Sequence, residues 1–177
     1  ILAGGSRATA YARLRQSLLD ALEFDAHREP IRNGAWREFS LPLHELEALV
    51  PVARGKQLLV VTSHRVADIE ALLRLQQEFN LRLVVAGATE AWMIGSQLAA
   101  AHVPVIMDAM ANLPADFDRL GARQDAAALL HRAGVTLLFR SVEYAGTQNA
   151  YLVRQVAGNA AAWGLPWAAT LTGAKLV

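Results

Sequence analysis

The sequence contains no cysteine, which excludes disulfides and thiolate zinc sites alike and says little about compartment. It has no long apolar run. Hydrophobic residues make up 54% of the chain, but much of that share is alanine, and no stretch approaches the roughly 20 residues a spanning helix needs. It also lacks an excess of charge, with 17 basic and 16 acidic side chains. Residues 1–57 hold eight basic and seven acidic groups and residues 58–177 nine of each, so neither part is a basic arm or an acidic tail. Nucleic acid and membrane are therefore not expected partners. No complete glycine-rich phosphate motif follows any apolar run, and "GGS" at Gly4–Ser6 reads as a tight turn with an N-cap rather than an anion cradle. The chain opens on Ile1, not Met, without a signal-like basic segment, and the expectation is that its start lies upstream.

What the sequence does contain is a regular alternation. Leu58–Thr62, Leu81–Ala86, Val103–Met107 and Val135–Phe139 are short apolar runs with little internal alternation, the pattern of strands buried on both faces. Helical patterns separate them. Val66, Ile69, Leu72, Leu73 and Phe79 share one side of the first, with Glu70 and Arg74 paired outside. Thr89 is placed to cap the second, with Glu90 at its positive end and Ala91, Ile94, Leu98 and Ala101 inward. The third spans about Ala122–Ala133 and stops at Gly134. In the fourth, about Gln148–Trp163, Leu152, Val153, Val156, Ala160 and Trp163 share a face; Gly164 ends it, and Pro166 can open another. Trp163 and Trp167 read as packing residues.

The order βαβαβαβα predicts an α/β fold with a parallel sheet and right-handed crossovers. Residues 1–57 read as a helical and loop lead-in: a helix from Ser6 to about Ala26, an irregular stretch "HREPIRNGAWREFS", and a short helix at Leu43–Val50. The length suits one domain. Four parallel βα units make either a small open sheet or half of a (β/α)₈ barrel, which needs about 250 residues.

In both architectures chemistry gathers at the carboxyl ends of the strands. There the sequence places Thr62-Ser63-His64, then Ala86-Gly87-Ala88-Thr89, then Asp108 with a long loop, then Arg140-Ser141-Val142-Glu143. His64 is the leading candidate, because the other four histidines lie before a strand, late in a helix or in the irregular front section. It reads either as a metal ligand or catalytic group or as a structural residue bonded to a neighbouring loop. Asp108 and Glu143 are the carboxylates nearest the same mouth and the candidate catalytic acids; the plainer reading caps a loop with Asp108 and leaves Glu143 solvated. Arg140 suits a substrate carboxylate or an ion pair with either acid.

"HRVADIEALLRLQQEFNLRLVVAGATEAW", His64–Trp92, resembles the fifth and sixth βα units of imidazolonepropionase-like amidohydrolases. "LPLHELEALVPVARGKQLLVV" and "NAYLVRQVAGNAAAWGLPWAATLTGAKL" resemble the flanking stretches, so the likeness runs in order over nearly the whole chain. The resemblance implies the later, C-terminal half of a TIM-type barrel and a metal-dependent hydrolase of C–N bonds in amides or cyclic amides. It implies a divalent metal, often zinc, held by a His-x-His pair on the first strand, histidines after strands five and six, and an aspartate after strand eight. A small-molecule substrate is the implied partner; self-association into a homo-oligomer and the compartment stay open.

Carried over by position, His64 stands where the strand-five histidine belongs, and Gly87 stands where the strand-six histidine would fall. The strand-eight aspartate falls near Gly146, with Glu143 the nearest acid and out of register, and the His-x-His pair is absent. One imidazole cannot hold a catalytic zinc, which takes three protein ligands plus water. Either substitutes such as Glu143 and Asp108 complete the site, or this is a degenerate member that binds a small molecule or a partner without catalysis. An ordinary flavodoxin-like or Rossmann-like domain is the remaining alternative, and the missing phosphate motif speaks against it.

Overall fold

The structure is a computed structural model that describes residues 5–34, 36–111, 113–140 and 151–171. The described chain forms two compact units, residues 1–59 with 74–82, and residues 60–73 with 83–177.

Four strands, β1 (Leu58–Ser63), β2 (Arg82–Gly87), β3 (Val105–Met107) and β4 (Leu137–Phe139), form one sheet in sequence order. The sheet is parallel, with Val85 opposite Val105, Ala86 opposite Ile106, Val105 opposite Leu137 and Met107 opposite Phe139. Helices occupy the crossovers, as parallel pairing requires. The α/β expectation holds: α4 (Val66–Phe79) follows β1, α5 (Gly95–Ala100) follows β2, α6 (Ala126–Arg132) follows β3 and α7 (Val153–Ala162) follows β4.

Details differ from the sequence reading. The helix after β2 begins as a 3₁₀ turn, Ala91–Ile94, and its Glu90 cap position makes no side-chain capping bond. Helix α6 starts only at Ala126, because residues 122–125 belong to the long loop after β3. Strand β1 is not buried on both faces: its side chains alternate, and Leu58 and Val60 are about half exposed, as befits a strand at the edge of the sheet. In α7, Val156 and Ala160 are buried as expected, but Trp163 is 44% exposed and Trp167 more so, so neither tryptophan is core. Gly164, at φ +96°, lets the chain leave α7 in a left-handed conformation that a side chain disfavours. Among the described residues, no helix is long and apolar enough to cross a membrane.

The first unit is built on α1 (Arg7–Ala26) and α3 (Leu43–Ala53). Ser6 caps α1, its Oγ accepting from the Thr9 N–H at 3.1 Å. Leu18, Ala21 and Phe24 of α1 and Leu46 and Val50 of α3 are buried together in the core, with Leu75. The stretch read as irregular contains a short helix, α2 (Arg28–Arg32), whose Pro30 lies in the first turn, where its missing N–H costs no intrahelical bond.

Unexpectedly, Asp20 is fully buried in the middle of α1. Its Oδ2 accepts from the Ser40 N–H at 2.8 Å and the Ser40 hydroxyl at 2.6 Å; its Oδ1 accepts from Arg37 at 2.7 Å and Gln16 at 2.8 Å. Arg37 also pairs with Glu23, and Trp36 donates to the same carboxylate at 3.0 Å. The carboxylate thus fastens residues 36–40 to the helix, which is why an acid is tolerated there. Burial alone would push the Asp20 carboxyl up, but the bonds from Ser40, Arg37 and Gln16 outweigh it and hold it below the ordinary range.

A carboxyl with a depressed folded pKa contributes stability that is present above its unfolded pKa, about 3.9, and lost as pH falls through the folded value. Asp20→Asn should lower stability by about 2–3 kcal/mol at neutral pH. Thermal melts from pH 7 down to about pH 2 should show a smaller acid-induced loss in the variant than in the wild type. Parallel melting-temperature curves for the two proteins would remove this carboxylate from the account.

Candidate functional site

The tips of β1 and β2 are fastened together. Gly87 and Ala88 both adopt positive φ, +81° and +51°, which turns the chain sharply after β2. For alanine this conformation costs on the order of 1 kcal/mol, a strain that persists only where the surroundings enforce it. Here they do: the Ala88 N–H donates to the Ser63 carbonyl at 2.7 Å and the Glu90 N–H to the His64 carbonyl at 2.9 Å.

The His64 side chain is fixed by the same turn. Its Nδ1 is 2.8 Å from the Thr89 hydroxyl. Its ring lies directly on Gly87: a Cβ at position 87 would meet His64 Cε1 at 2.6 Å and Nε2 at 3.0 Å. Thr89, read as a helix cap, instead orients this imidazole. Glu90, read as a helix-start charge, instead joins two segments, accepting from the Val66 N–H at 2.9 Å and the Gly121 N–H at 3.3 Å. The Trp92 indole donates to the Gly121 carbonyl at 2.9 Å. The long loop after β3 is thereby held over the strand tips.

His64, Gly87 and Thr89 line a cleft at the strand tips, and Asp108 with Arg119, Arg123 and Arg140 brings charge to it. Asp108 is 7% exposed; its Oδ1 accepts from the Met110 N–H at 3.0 Å, the loop-capping role foreseen for it. Its Oδ2 is buried without a hydrogen-bond partner among the described residues. Arg119 is 8% exposed and has its Nε 3.3 Å from Asp116. Arg123 lies over the Trp92 ring, 4.6 Å from its centroid, and pairs with Asp125 at 2.7 Å, holding that carboxyl below its ordinary range. The Arg140 N–H donates to the Met107 carbonyl at 3.1 Å, tying the end of β4 to that of β3.

No protein-family model matches the chain, and no curated protein matches it. The solved structures do give a likeness. The fold is similar to part of an amidohydrolase chain. The crystal structure of an amidohydrolase from Thermotoga maritima MSB8 is similar over 98% of this chain, with a TM-score of 0.81 and 20% sequence identity. The chain spans 46% of the length of that relative, so it has the architecture of a partial TIM-type barrel.

The structure therefore brings His64, Asp108 and Arg140 to one cleft, as their places at the strand ends predict. Glu143 and Gly146 fall outside the described residues. Arg119 and Arg123 were not singled out in the sequence; the signal for them is their position on the long loop leaving β3, which must pass over the strand tips. Among the described residues the donor set of the cleft does not suit a catalytic metal. Among the described residues no three His, Asp or Glu side chains gather in one place, position 87 carries no side chain, and the cations outnumber the anions in the cleft.

Gly87→Ala should cost about 2–4 kcal/mol, from the left-handed φ together with the clash against the imidazole. Gly158→Ala is the matched control: it lies within α7 with nothing within 4 Å of the added Cβ, and should be neutral or stabilising. Thermal melts and the His64 Cε1–H NMR signal report both effects. A Gly87→Ala protein as stable as the wild type, with an unmoved His64 signal, would refute the packing of ring on glycine.

Proposed function

We propose that this chain supplies the binding face of an amidohydrolase-like barrel that holds a small anionic molecule, as a degenerate relative of the metal-dependent hydrolases. One observation carries the reading: three guanidinium groups share a cleft with an imidazole that is packed where a second metal-ligating histidine would need its Cβ. Guanidinium groups are matched to carboxylate and phosphate by their planar donor fork, and they repel a divalent cation. A small-molecule partner is the one the resemblance leads us to expect; a nucleic-acid partner has no basic surface argument behind it.

The second reading is a hydrolase of amide or cyclic amide C–N bonds, with His64 as a zinc ligand, Glu143 or Asp108 as the acid and Arg140 on the substrate. Its support is the delivery of His64 by a β-strand to the mouth of the cleft. It requires further ligands beyond the described residues.

Elemental analysis and calorimetry separate the two. On the binding reading, purified protein holds well under one zinc per chain, His64→Ala leaves that figure unchanged, and affinity for succinate or inorganic phosphate is indifferent to chelator. Arg119→Gln or Arg140→Gln should each weaken anion binding about tenfold, the loss of one charge-assisted hydrogen bond. One zinc per chain that His64→Ala abolishes, with turnover lost on chelation and restored by zinc, would establish the hydrolase instead.

A further inference from the structure

The cleft at the strand tips is nearly full. It leaves room of about 20 Å³, enough for one water and too little for succinate or phosphate. On the reading of this cleft as an anion site, one of its walls therefore moves before a ligand enters.

The two walls are built differently. His64, Gly87, Asp108 and Arg140 stand on the strand tips, which backbone bonds tie together: Ala88 N–H to Ser63, and Arg140 N–H to Met107. Facing them, Arg119, Ala122, Arg123 and Gln124 come from residues 113–124 of the loop leaving β3. This segment has its own short-range bonds. The Asp118 N–H donates to the Asp116 carboxylate at 2.9 Å, the Arg119 N–H to the Asp116 carbonyl at 3.1 Å, and the Ala122 N–H to the Arg119 carbonyl at 3.0 Å. Its large apolar side chains do not hold it down: Leu113 and Leu120 are exposed, and Phe117 is 90% exposed. Arg119 is the one fully buried side chain between residues 113 and 124. A segment with so little buried apolar surface opens at low cost.

Its fastening is concentrated at Gly121. The Gly121 N–H donates to the Glu90 carboxylate at 3.3 Å, and its carbonyl accepts from the Trp92 indole at 2.9 Å. Arg123, two residues on, lies over the same indole ring. A Cβ at position 121 would meet Glu90 Cγ at 2.7 Å and Met93 Cε at 2.8 Å, so the glycine is seated directly on the turn at 90–93. These contacts share one turn, so losing it frees them together. We propose that residues 113–124 are a lid, latched shut at Gly121 by Glu90 and Trp92, and that an anion reaches the cleft only when this latch opens. The entering anion then competes with Asp116 and Asp125, which pair with Arg119 and Arg123. Its apparent affinity is set by the open fraction as well as by its contacts.

The motion is measured without any ligand, by hydrogen exchange on the full protein. The Trp92 indole N–H and the Gly121 amide should be protected, yet exchange about a hundredfold faster than the Val85 and Val105 amides, which bond within the sheet region. Trp92→Phe keeps a ring beneath Arg123 and removes the indole donor, and should speed exchange at Gly121 about fivefold. Latch exchange as slow as that of the strand amides, exchange at the unprotected rate, or a Gly121 rate unmoved by Trp92→Phe would each overturn the lid.

The gating is tested by a reversible lock. The chain has no cysteine, so Glu90→Cys with Gly121→Cys introduces a single disulfide across the latch. The 2.7 Å from the position-121 Cβ to Glu90 Cγ, the place of the new sulfur, brings the pair within reach of a bridge. Inorganic phosphate is titrated into the oxidised and the reduced variant by calorimetry. Oxidation should weaken binding about tenfold or more, and reduction should restore it. Equal affinity in the two forms would overturn the gating. Phosphate and succinate both silent at millimolar concentration, in the wild type as in the variant, would overturn the anion reading and the gating with it, while the lid's motion stands or falls on the exchange rates.

Discussion

The imidazole of His64 rests on a bare α-carbon, and the rest of the site follows from that contact. A side chain at position 87 is doubly disallowed, by the left-handed backbone and by the ring 2.6 Å from where its Cβ would be. The glycine lets the chain double back after β2 closely enough for Ala88 and Glu90 to bond to the backbone of Ser63 and His64. That turn sets Thr89 against His64 Nδ1 and sends the Glu90 carboxylate to Val66 and Gly121. Since Gly121 lies on the loop leaving β3, the same turn also governs where Arg119 and Arg123 sit. Gly121 is itself confined, because a Cβ there would meet Glu90 Cγ at 2.7 Å.

The electrostatic character of the cleft follows from that scaffold. In a metal-dependent hydrolase, converging imidazoles and carboxylates create a field that favours a cation. Here one imidazole, already bonded to a hydroxyl, shares the cleft with three guanidinium groups and a single carboxylate among the described residues. Two of those guanidinium groups are paired in turn, Arg119 with Asp116 and Arg123 with Asp125, and on the proposed reading the set suits an anion better than a divalent cation. The fold is shared with an amidohydrolase at a TM-score of 0.81, yet fold alone does not transfer chemistry, which depends on the side chains at the strand ends.

Much of this was legible in the residues. Four apolar runs separated by helical periodicity carry the parallel sheet, because a strand buried in an α/β sheet needs continuous apolar sequence. The strand ends carry His64, Asp108 and Arg140, because a parallel sheet aligns its carboxyl tips on one side. What stayed hidden depends on long-range pairing. Thr89 and Glu90 have the sequence character of a helix start, and only the turn at Gly87 diverts them to His64 and to the loop. Asp20 sits within a helical apolar stripe, and its acceptance there depends on Ser40 and Arg37, about 20 residues away. Arg119 and Arg123 lie in a loop without periodicity, so no pattern announces where their side chains go.

The most direct test is diffraction at the zinc absorption edge from crystals of the full protein grown with excess zinc. The account predicts that the His64 ring stays on Gly87 with Nδ1 on Thr89, and that no anomalous peak lies within about 2.5 Å of its Nε2. A zinc ion bonded to that nitrogen, completed by carboxylate or histidine ligands from elsewhere in the protein, would contradict it.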